Sequence, residues 1–214
     1  MKFRSPILLF ICIATLGATP PKEPGPVLPS GFVDLLWAPL FKELAEPRTI
    51  FSTFTEQRWF GFKKTPVVLE GEMRLDPSKG LSLRYVKPDE RLMIIDSKGV
   101  LLRDAKGRKR ELPSDPRAGG IEKALLPALR FDLDEIRTYF VIHAVMDGPD
   151  WRIDLEPIDP NLSKTLGNLT IEGNDSAVKR LEFRRAANQR VVIIIKSTQE
   201  RVRFAPEDFH RYFR

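Results

Sequence analysis

The sequence predicts an α+β domain built on one long, curved antiparallel sheet. The strongest indication is the stretch TPVVLEGEMRLDPSKGLSLRYVKP, residues 65–88, in which apolar and charged side chains alternate on both sides of a Pro-Ser-Lys-Gly turn. About nine or ten segments of this kind follow one another along the chain, and two further segments have helical spacing. Alternation with a period of two is typical of antiparallel strands that have one face in water.

The first 18 residues, 1–18, have the pattern of a secretory signal peptide. Lys2 and Arg4 precede an apolar run from Ile7 to Ala14, and small residues follow it, so we expect cleavage within Gly17 to Thr19. A run this short does not reach the ~20 residues that a membrane-spanning helix requires. The segment therefore predicts export.

The only cysteine, Cys12, lies within this segment, so the mature chain would have no thiol. Disulfides, cysteine-ligated metals and cysteine nucleophiles are thereby excluded, and the fold depends on its apolar core. Without Lys2 and Arg4, 33 basic side chains face 29 acidic ones, and the formal charge falls from +6 to +4. This mild charge, in an exported chain without a nucleic-acid-reading motif, argues against nucleic acid as a partner.

Residues 19–31 are rich in proline and have no apolar periodicity, which predicts a flexible or extended spacer. Residues 32–214 are predicted to form the domain. Helical spacing begins near Ser30 and continues to Leu44, and Pro39 is expected to start a second helical piece.

Short alternating runs then predict the strands of an antiparallel meander, at residues 51–62, 67–76, 80–87, 91–96 and 99–104. Residues 113–120 are predicted to form a loop, and residues 121–140 two short helices separated at Pro127. Further strands are predicted at residues 141–146, 151–155, 166–172, 178–185 and 190–196. The charged segment 106–111 and the C-terminal FHRYFR are interpreted as solvated surface, with weak attraction to anionic membranes as the alternative.

The sequence contains no recognisable catalytic, phosphate-binding or dinucleotide-binding motif. His143 and His210 have no partner at metal-ligand or triad spacing and are interpreted as structural or solvated. Asp132, Asp134 and Glu135 suit the first turn of a helix, where negative charge interacts favourably with the helix dipole. We therefore expect no metal, no cofactor and no enzymatic activity, and interpret the chain as a binder or carrier.

Several segments, taken in order, resemble the periplasmic carriers of outer-membrane lipoproteins, the LolA family. The phenylalanine-rich FSTFTEQR, residues 51–58, is similar to the family's entry into its first strand. The stretch from Pro66 to Pro88 is similar to the hairpin that follows this strand in the family. In the second half, the helix at 124–129, the segment Trp151–Pro157 and the closing pair LGNLTIEGN and VKRLEFRR are similar as well. The likeness covers about 160 of the 214 residues, and we identify the chain as a divergent member.

The resemblance implies an incomplete β-barrel whose concave side is closed by helices that act as a lid. It also implies a non-catalytic periplasmic carrier, which shelters the acyl chains of lipoproteins or of another lipid between an inner-membrane transporter and an outer-membrane acceptor. Each methylene group in water costs about 0.8 kcal/mol, so a ~16-carbon chain needs such a shelter. Asp76 replaces the lid-holding arginine of the family, and Arg74 and Arg84 are the candidates for a polar latch.

Strand parity selects the side chains that would line the lipid-binding concave side. Packing in an ordinary core is the alternative for each of them, because cores and cavities use the same residue types. The candidates on the strands are Leu69, Met73, Leu75, Leu81, Leu83, Tyr85, Leu92, Ile94, Trp151, Ile153, Leu155, Leu181 and Phe183. The candidates on the lid side are Phe51, Phe54, Leu125 and Leu129.

Two other functions fit the same sequence. The first is a protein-binding or sensor module of the cell envelope, which would use exposed strand edges and carry no lipid. The second is a lipid-modifying enzyme whose catalytic residues no motif reveals, and Asp132, Glu135 and His143 are the residues whose substitution would test it. In the carrier interpretation we expect a monomer that binds its cargo, the transporter and the acceptor in turn.

Overall fold

The structure is a computed structural model, and it describes residues 23–28, 37–112 and 121–214. The predicted signal peptide, the start of the helical pattern near Ser30 and the predicted loop at 113–120 lie outside the described residues. Within these three ranges, no helix has the length and apolar composition needed to cross a membrane.

A single antiparallel sheet dominates the structure. Its strands are β1 (Ile50–Trp59), β2 (Val67–Asp76), β3 (Gly80–Lys87), β4 (Arg91–Asp96), β5 (Gly99–Asp104), β6 (Lys109–Leu112), β7 (Phe140–Asp147), β8 (Asp150–Pro157), β9 (Asn168–Asn174), β10 (Ala177–Ala186) and β11 (Gln189–Glu200). Their order across the sheet is β6-β5-β4-β3-β2-β1-β11-β10-β9-β8-β7, so β1 pairs with β11 near the middle and the sheet does not close into a barrel. The predicted α+β class and incomplete barrel are confirmed.

One strand in the described part of the chain was not predicted from the sequence. β6 lies in and beyond the charged segment 106–111 and pairs with β5, with Val100 opposite Leu112. Its lysine and arginine side chains are exposed, as the sequence predicted for this segment. Charged residues are common on edge strands, and they weaken the apolar alternation by which a strand is recognised.

Five helices accompany the sheet within the described residues, and they are α1 (Trp37–Leu44), α2 (Ile121–Arg130), α3 (Leu133–Tyr139), α4 (Pro160–Leu166) and α5 (Pro206–Tyr212). The predicted break at Pro127 is wrong, because α2 continues through this residue to Arg130. The chain turns instead at Phe131, which has a φ of 54°. Asp132 then caps α3 by accepting a hydrogen bond from the Glu135 N–H at 3.1 Å, which confirms the predicted helix start.

The two short helices α4 and α5 were missed. The Asp159-Pro160 pair is the sequence signal for α4, because aspartate caps helices and proline is favoured in the first turn. The Asp159 carboxylate accepts hydrogen bonds from the N–H groups of Asn161 and Leu162, at 2.6 and 3.1 Å. The strand that we predicted from residue 166 therefore begins only at Asn168.

The register assigns the strand side chains to two faces. Opposed residues of antiparallel strands point to the same side, so Met73 and Leu83 share one face, which we call the inner face, and Arg74 and Ser82 share the other, the outer face. Helices α1 to α4 pack on the inner face and form one apolar core with it. Residues from both halves of the sheet belong to this core, and the sheet therefore bends around the helices.

A smaller apolar core lies on the outer face beneath the C-terminal segment. Phe204, Tyr212 and Phe213 are buried there against Leu92 and Ile94. The interpretation of the C-terminal residues as solvated surface is therefore wrong for Tyr212 and Phe213, which are 6% and 4% exposed. This segment is a structural cover for β4 and β5.

The inward orientation predicted for three of the candidate side chains is also wrong. Ile94 and Leu92 lie opposite Ser82 and Arg84 on the outer face, and Phe51 packs in the same outer core. Since the C-terminal segment covers this face, the RLMIID sequence of β4 is apolar on both sides and its alternation does not show which side is inward.

Residues 26–28 run antiparallel along part of β7. The Leu28 N–H donates to the Ile142 carbonyl at 2.8 Å, and the Ala144 N–H donates to the Pro26 carbonyl at 3.1 Å. The side chain of Leu28 is buried in the inner core. This part of the proline-rich segment is thus extended and joined to the domain.

Gly173 in β9 gives the Trp151 indole its place in the inner core. A Cβ at position 173 would lie 2.1 Å from Trp151 Cζ2 and 2.7 Å from the Ala177 carbonyl oxygen. Because the indole is only 4% exposed, we expect Gly173→Ala to lower the free energy of unfolding by about 1–3 kcal/mol. Urea denaturation measures this change. Gly61→Ala is the control, since its methyl group would meet the Asn188 side chain at 3.2 Å, and an equal effect of both variants would contradict the prediction.

Asp96 and Arg214 join the C-terminal segment to β4. Arg214 donates hydrogen bonds to both carboxylate oxygens of Asp96, at 2.7 and 2.8 Å, and the Lys98 N–H donates another at 2.8 Å. Burial alone would raise the pKa of Asp96, but these hydrogen bonds and the nearby charges lower it below the ordinary value of 3.8. The interaction between Asp96 and Arg214 therefore stabilises the fold fully at pH values above 3.8, the ordinary pKa of this carboxyl group. The contribution is lost as the pH falls through the lower pKa of the folded state.

We expect Asp96→Asn to lower the free energy of unfolding at pH 7 by about 1–3 kcal/mol, since hydrogen bonds to a charged group are lost. The difference from the wild type should shrink below about pH 4, where Asp96 becomes protonated in the unfolded chain. Denaturation curves between pH 2 and 7 test this. Asp89→Asn, which removes an exposed carboxylate from the β3–β4 turn, serves as the control. A difference that does not change with pH would contradict the assignment.

Candidate lipid-binding cavity

A cavity of about 270 Å³ remains between the helices and the inner face. It lies at the end of the sheet where β1 begins, and both halves of the sheet contribute to it, Leu75 and Leu81 from one half and Ile171 and Leu181 from the other. Leu129 of α2 covers it, together with the end of α1. The volume is just below the ~300–1,000 Å³ typical of small-molecule sites, and the mainly apolar lining suits an apolar ligand.

Charged residues stand beside this apolar interior at the start of β1 and the end of β11. Arg48 lies 3.4 Å from the Glu200 carboxylate and 3.8 Å from that of Glu46, and Arg201 donates to both oxygens of Glu46 at 3.1 Å. Of the charges in the cavity lining, Glu46, Arg48 and Glu200 are thus paired with one another or with Arg201, whereas Arg130 donates to the carbonyl at position 77. An apolar ligand would meet a border in which most of the charges are paired.

The seventeen predicted lipid-binding side chains fall into three groups. Five line the cavity, namely Met73, Leu75, Leu81, Leu129 and Leu181. Nine pack in the inner core away from it, namely Phe54, Leu69, Leu83, Tyr85, Leu125, Trp151, Ile153, Leu155 and Phe183. The remaining three, Phe51, Leu92 and Ile94, lie on the outer face. Contact of the first five with lipid stays a prediction.

Several lining residues were missed by the sequence reasoning. Ile195 belongs to the continuous apolar run of β11, Val191 to Ile195, in which alternation cannot show the inward side. Phe131 lines the cavity from the turn after α2, a position that depends on where the helix ends. The proline at position 77 lines it from the β2–β3 turn, where the sequence showed only turn chemistry.

The opposite end of the inner face holds a buried polar network instead of a cavity. Glu56 is 1% exposed, and its carboxylate accepts a hydrogen bond from the Tyr85 hydroxyl at 2.6 Å. Arg58 pairs with the same carboxylate. Burial and the Glu56 charge raise the pKa of Tyr85, so this hydroxyl keeps its proton and remains a donor. The network leaves the apolar end as the place for a ligand.

Neither arginine that we considered as a latch reaches the helices of the inner face. Arg74 stacks on the Tyr212 ring at 3.7 Å on the outer face, and Arg84 pairs there with Glu90 at 2.8 Å. Asp76 instead builds the β2–β3 turn by accepting hydrogen bonds from the N–H groups at positions 78 and 79. The contact between lid and sheet comes from Arg130 at the end of α2, which donates to the carbonyl at position 77 in this turn, at 3.1 Å.

Two residues of the enzymatic alternative have structural contacts. Asp132 caps α3, and His143 Nδ1 lies 2.9 Å from the Gly25 carbonyl oxygen in the strip along β7. Within the described ranges, no three side chains of the metal-binding types come together in a way that could hold an ion. The geometry thus offers an apolar cavity as the main candidate site.

A second hollow, of about 580 Å³, lies on the outer face and has a different character. Charged side chains line it, and they pair with one another across β8 to β10. Glu182, which is 4% exposed, pairs with both Arg180 and Arg184, and Arg152 lies 2.9 Å from Asp154. Such a surface suits polar contacts and offers no shelter for an acyl chain.

Residues 30–197 match the model of a protein family described as outer membrane lipoprotein carrier protein LolA-like. This match spans more than half of the 214 residues, and the chain therefore belongs to the LolA-like family. The segment with α5 lies outside the matched residues. A comparison with curated proteins finds no match.

Three solved structures are similar to this chain. A LolA superfamily protein from Nitrosomonas europaea is 7% identical with a TM-score of 0.42, covering 80% of this chain and 95% of that one. A DUF1329 family protein from Desulfovibrio piger is 9% identical with a TM-score of 0.47, covering 79% and 92%. The MucA/MucB complex from Pseudomonas aeruginosa contains a chain that is 15% identical with a TM-score of 0.36, covering 80% of this chain and 58% of that chain. The family assignment rests on the sequence match.

We expect Arg130→Ala to let the end of α2 separate from the sheet more often. The lost hydrogen bond is exposed and contributes about 0.5–1.5 kcal/mol, so amide hydrogens in the last turn of α2 should exchange up to about tenfold faster. Hydrogen exchange with mass spectrometry measures this rate. Lys123→Ala, which removes an exposed cation from the same helix, is the control. Equal exchange in the wild type and Arg130→Ala would show that this bond does not hold the lid.

Proposed function

We propose that this protein is a non-catalytic periplasmic carrier that shelters the acyl chains of a lipoprotein, or of another lipid, during transfer toward the outer membrane. Membership of the LolA-like family supports a carrier role. The observation that carries the proposal for this chain is the apolar cavity between the inner face and the ends of α1 and α2.

The size of the cavity implies that loading requires movement of the lid. Each buried methylene group contributes about 0.8 kcal/mol, so a carrier gains affinity with every carbon that it covers. A cavity of about 270 Å³ is at the small end for a ligand site, and a long chain would need more room. Outward movement of the α2 end, which Arg130 holds to the β2–β3 turn, would lengthen the cavity along the inner face.

The direction of transfer would follow from relative affinities. An inner-membrane transporter delivers the cargo, and an outer-membrane acceptor with higher affinity removes it, so the carrier needs no energy source of its own. Export by the predicted signal peptide at 1–18 would bring the protein to the periplasm. The cavity residues Met73, Leu75, Leu81, Leu129 and Leu181 would contact the acyl chains.

Native mass spectrometry of protein purified from periplasm without detergent tests the proposal. We expect a bound lipid or an acylated protein as added mass. A protein that is consistently bare, and that takes up no lipid from supplied vesicles, would contradict the carrier function. Partners that bind equally well after their acyl chains are removed would support the protein-binding module instead.

Val178→Phe offers a sharper test within the cavity. Val178 lies opposite Gly173 on the inner face and lines the cavity near the start of β10, so a phenyl ring there would occupy space that an acyl chain needs. We expect the dissociation constant for a fluorescent fatty-acyl probe to rise at least about tenfold. Val68→Phe is the matched control, because Val68 is 50% exposed near the start of β2, at the opposite end of the sheet. Equal probe binding by the two variants would contradict the assignment of the cavity as the acyl site.

A further inference from the structure

The hairpin between β1 and β2 carries an aromatic pair, the half-buried Phe60 and the exposed Phe62. Residues 60–64 read FGFKK, and the Lys63 N–H donates to the Phe60 carbonyl at 2.9 Å, which closes the turn. Phe62 is 82% exposed, more than any other large apolar side chain in the described part of the chain. A single exposed apolar residue needs no explanation, but here the exposed ring stacks on a second aromatic ring and is followed directly by two exposed lysines.

The local structure keeps the Phe62 ring exposed to solvent. Phe60 and Phe62 stack with their ring centroids 5.6 Å apart and their planes at 28°. The two rings thus cover one another on one side only, and Phe62 keeps its other side free. The pair forms an apolar projection at the end of the sheet.

Positive charge surrounds the projection. Lys63 and Lys64 are exposed, and no acidic side chain of the described residues pairs with either of them. Gly61 lies against Asn188 in the neighbouring β10–β11 turn, which brings exposed Arg185 to the same end of the sheet.

Two acidic side chains at this end are engaged in ion pairs. Glu70 pairs with Lys87 at 2.9 Å, and Glu90 pairs with Arg84 at 2.8 Å. Within the described residues, Asp89, in the β3–β4 turn, is exposed without such a pair, whereas Lys63 and Lys64 supply two unpaired positive charges on the hairpin itself.

We infer that this hairpin binds the surface of an anionic phospholipid bilayer. Phe62 enters the boundary between headgroups and acyl chains, and Lys63 and Lys64 contact the lipid phosphates. Aromatic rings favour this boundary, and adjacent cations add attraction to anionic lipid. A protein partner would have to match an apolar projection with a cavity of its own, whereas a bilayer accepts it without a preformed site.

This binding goes beyond the proposed carrier function and does not depend on it. The cavity lies at the end of the strands that holds the β2–β3 and β9–β10 turns, and the hairpin lies at the opposite end. A protein held by its hairpin would therefore keep the cavity away from the bilayer that it contacts. Failure of hairpin binding would leave the cavity tests unaffected.

Vesicle sedimentation with the full chain tests the inference. We expect binding to vesicles with 30% phosphatidylglycerol or cardiolipin, weak binding to pure phosphatidylcholine, and loss of binding at about 0.5 M salt, where the charges are screened. Phe62→Ser should reduce the partition coefficient about tenfold, and Lys63→Gln with Lys64→Gln about fivefold for each charge. Every variant carries the same N-terminal segment, so differences between them report on the hairpin.

Matched controls change the same chemistry elsewhere. Lys79→Gln with Lys98→Gln removes two exposed lysines from turns at the opposite end of the sheet, and Val27→Ser removes an exposed apolar side chain beside β7. Both should bind vesicles like the wild type. Unchanged thermal unfolding of all variants would confirm that the fold is intact.

Phe62→Trp provides a direct measurement of insertion. We expect its added fluorescence to shift to the blue and to be quenched by brominated lipid in anionic vesicles. Equal vesicle binding by the wild type and Phe62→Ser, or a tryptophan at position 62 that lipid does not quench, would overturn the inference. Absence of vesicle binding together with capture of a protein through Phe62 would overturn it in favour of a protein partner.

Discussion

The apolar inner face of the sheet is the constraint on which the rest of the structure depends. Eleven strands in a bent, open sheet present more apolar surface than one layer of short helices readily covers, and that surface must be removed from water for the domain to be stable. Helices α1 to α4 cover most of it, and aromatic rings such as Trp151 reach their places only because glycine leaves room for them. At one end the cover is incomplete, and the space left there is the candidate site.

The sequence predicted the fold well where one face of a strand was apolar and the other charged. The β2–β3 hairpin is the clearest case, because Met73 and Leu83 face inward while the charged residues next to them in the sequence face outward. Prediction failed where both faces are buried, because alternation then disappears. The C-terminal segment covers Leu92 and Ile94, although it lies more than a hundred residues further along the chain. The local sequence of β4 does not indicate that its outer face is covered. Short helices that begin at a proline, such as α4, are also hard to predict, because a helix of so few residues gives little helical periodicity in the sequence.

The candidate site was predictable only in part, for a related reason. Parity identified inward side chains such as Leu75 and Leu181, but it could not say which of them pack against helices and which face open space. That distinction depends on where α1 and α2 end, a result of tertiary packing. The buried Glu56 shows the same limit, since its parity matched that of Phe54 although its charge suggested a surface position.

The pairing of β1 with β11 affects how the chain folds. Ile50 lies opposite Glu200, so the central seam of the sheet joins segments about 150 residues apart, and neither half is complete until both are present. Pairings of such long range slow folding, because the intervening chain must first be brought together. In a polypeptide that emerges with its N-terminus first, the apolar face of the first strands would therefore stay partly exposed until β11 has emerged. During that interval the chain would depend on chaperones that keep exposed apolar segments from aggregating.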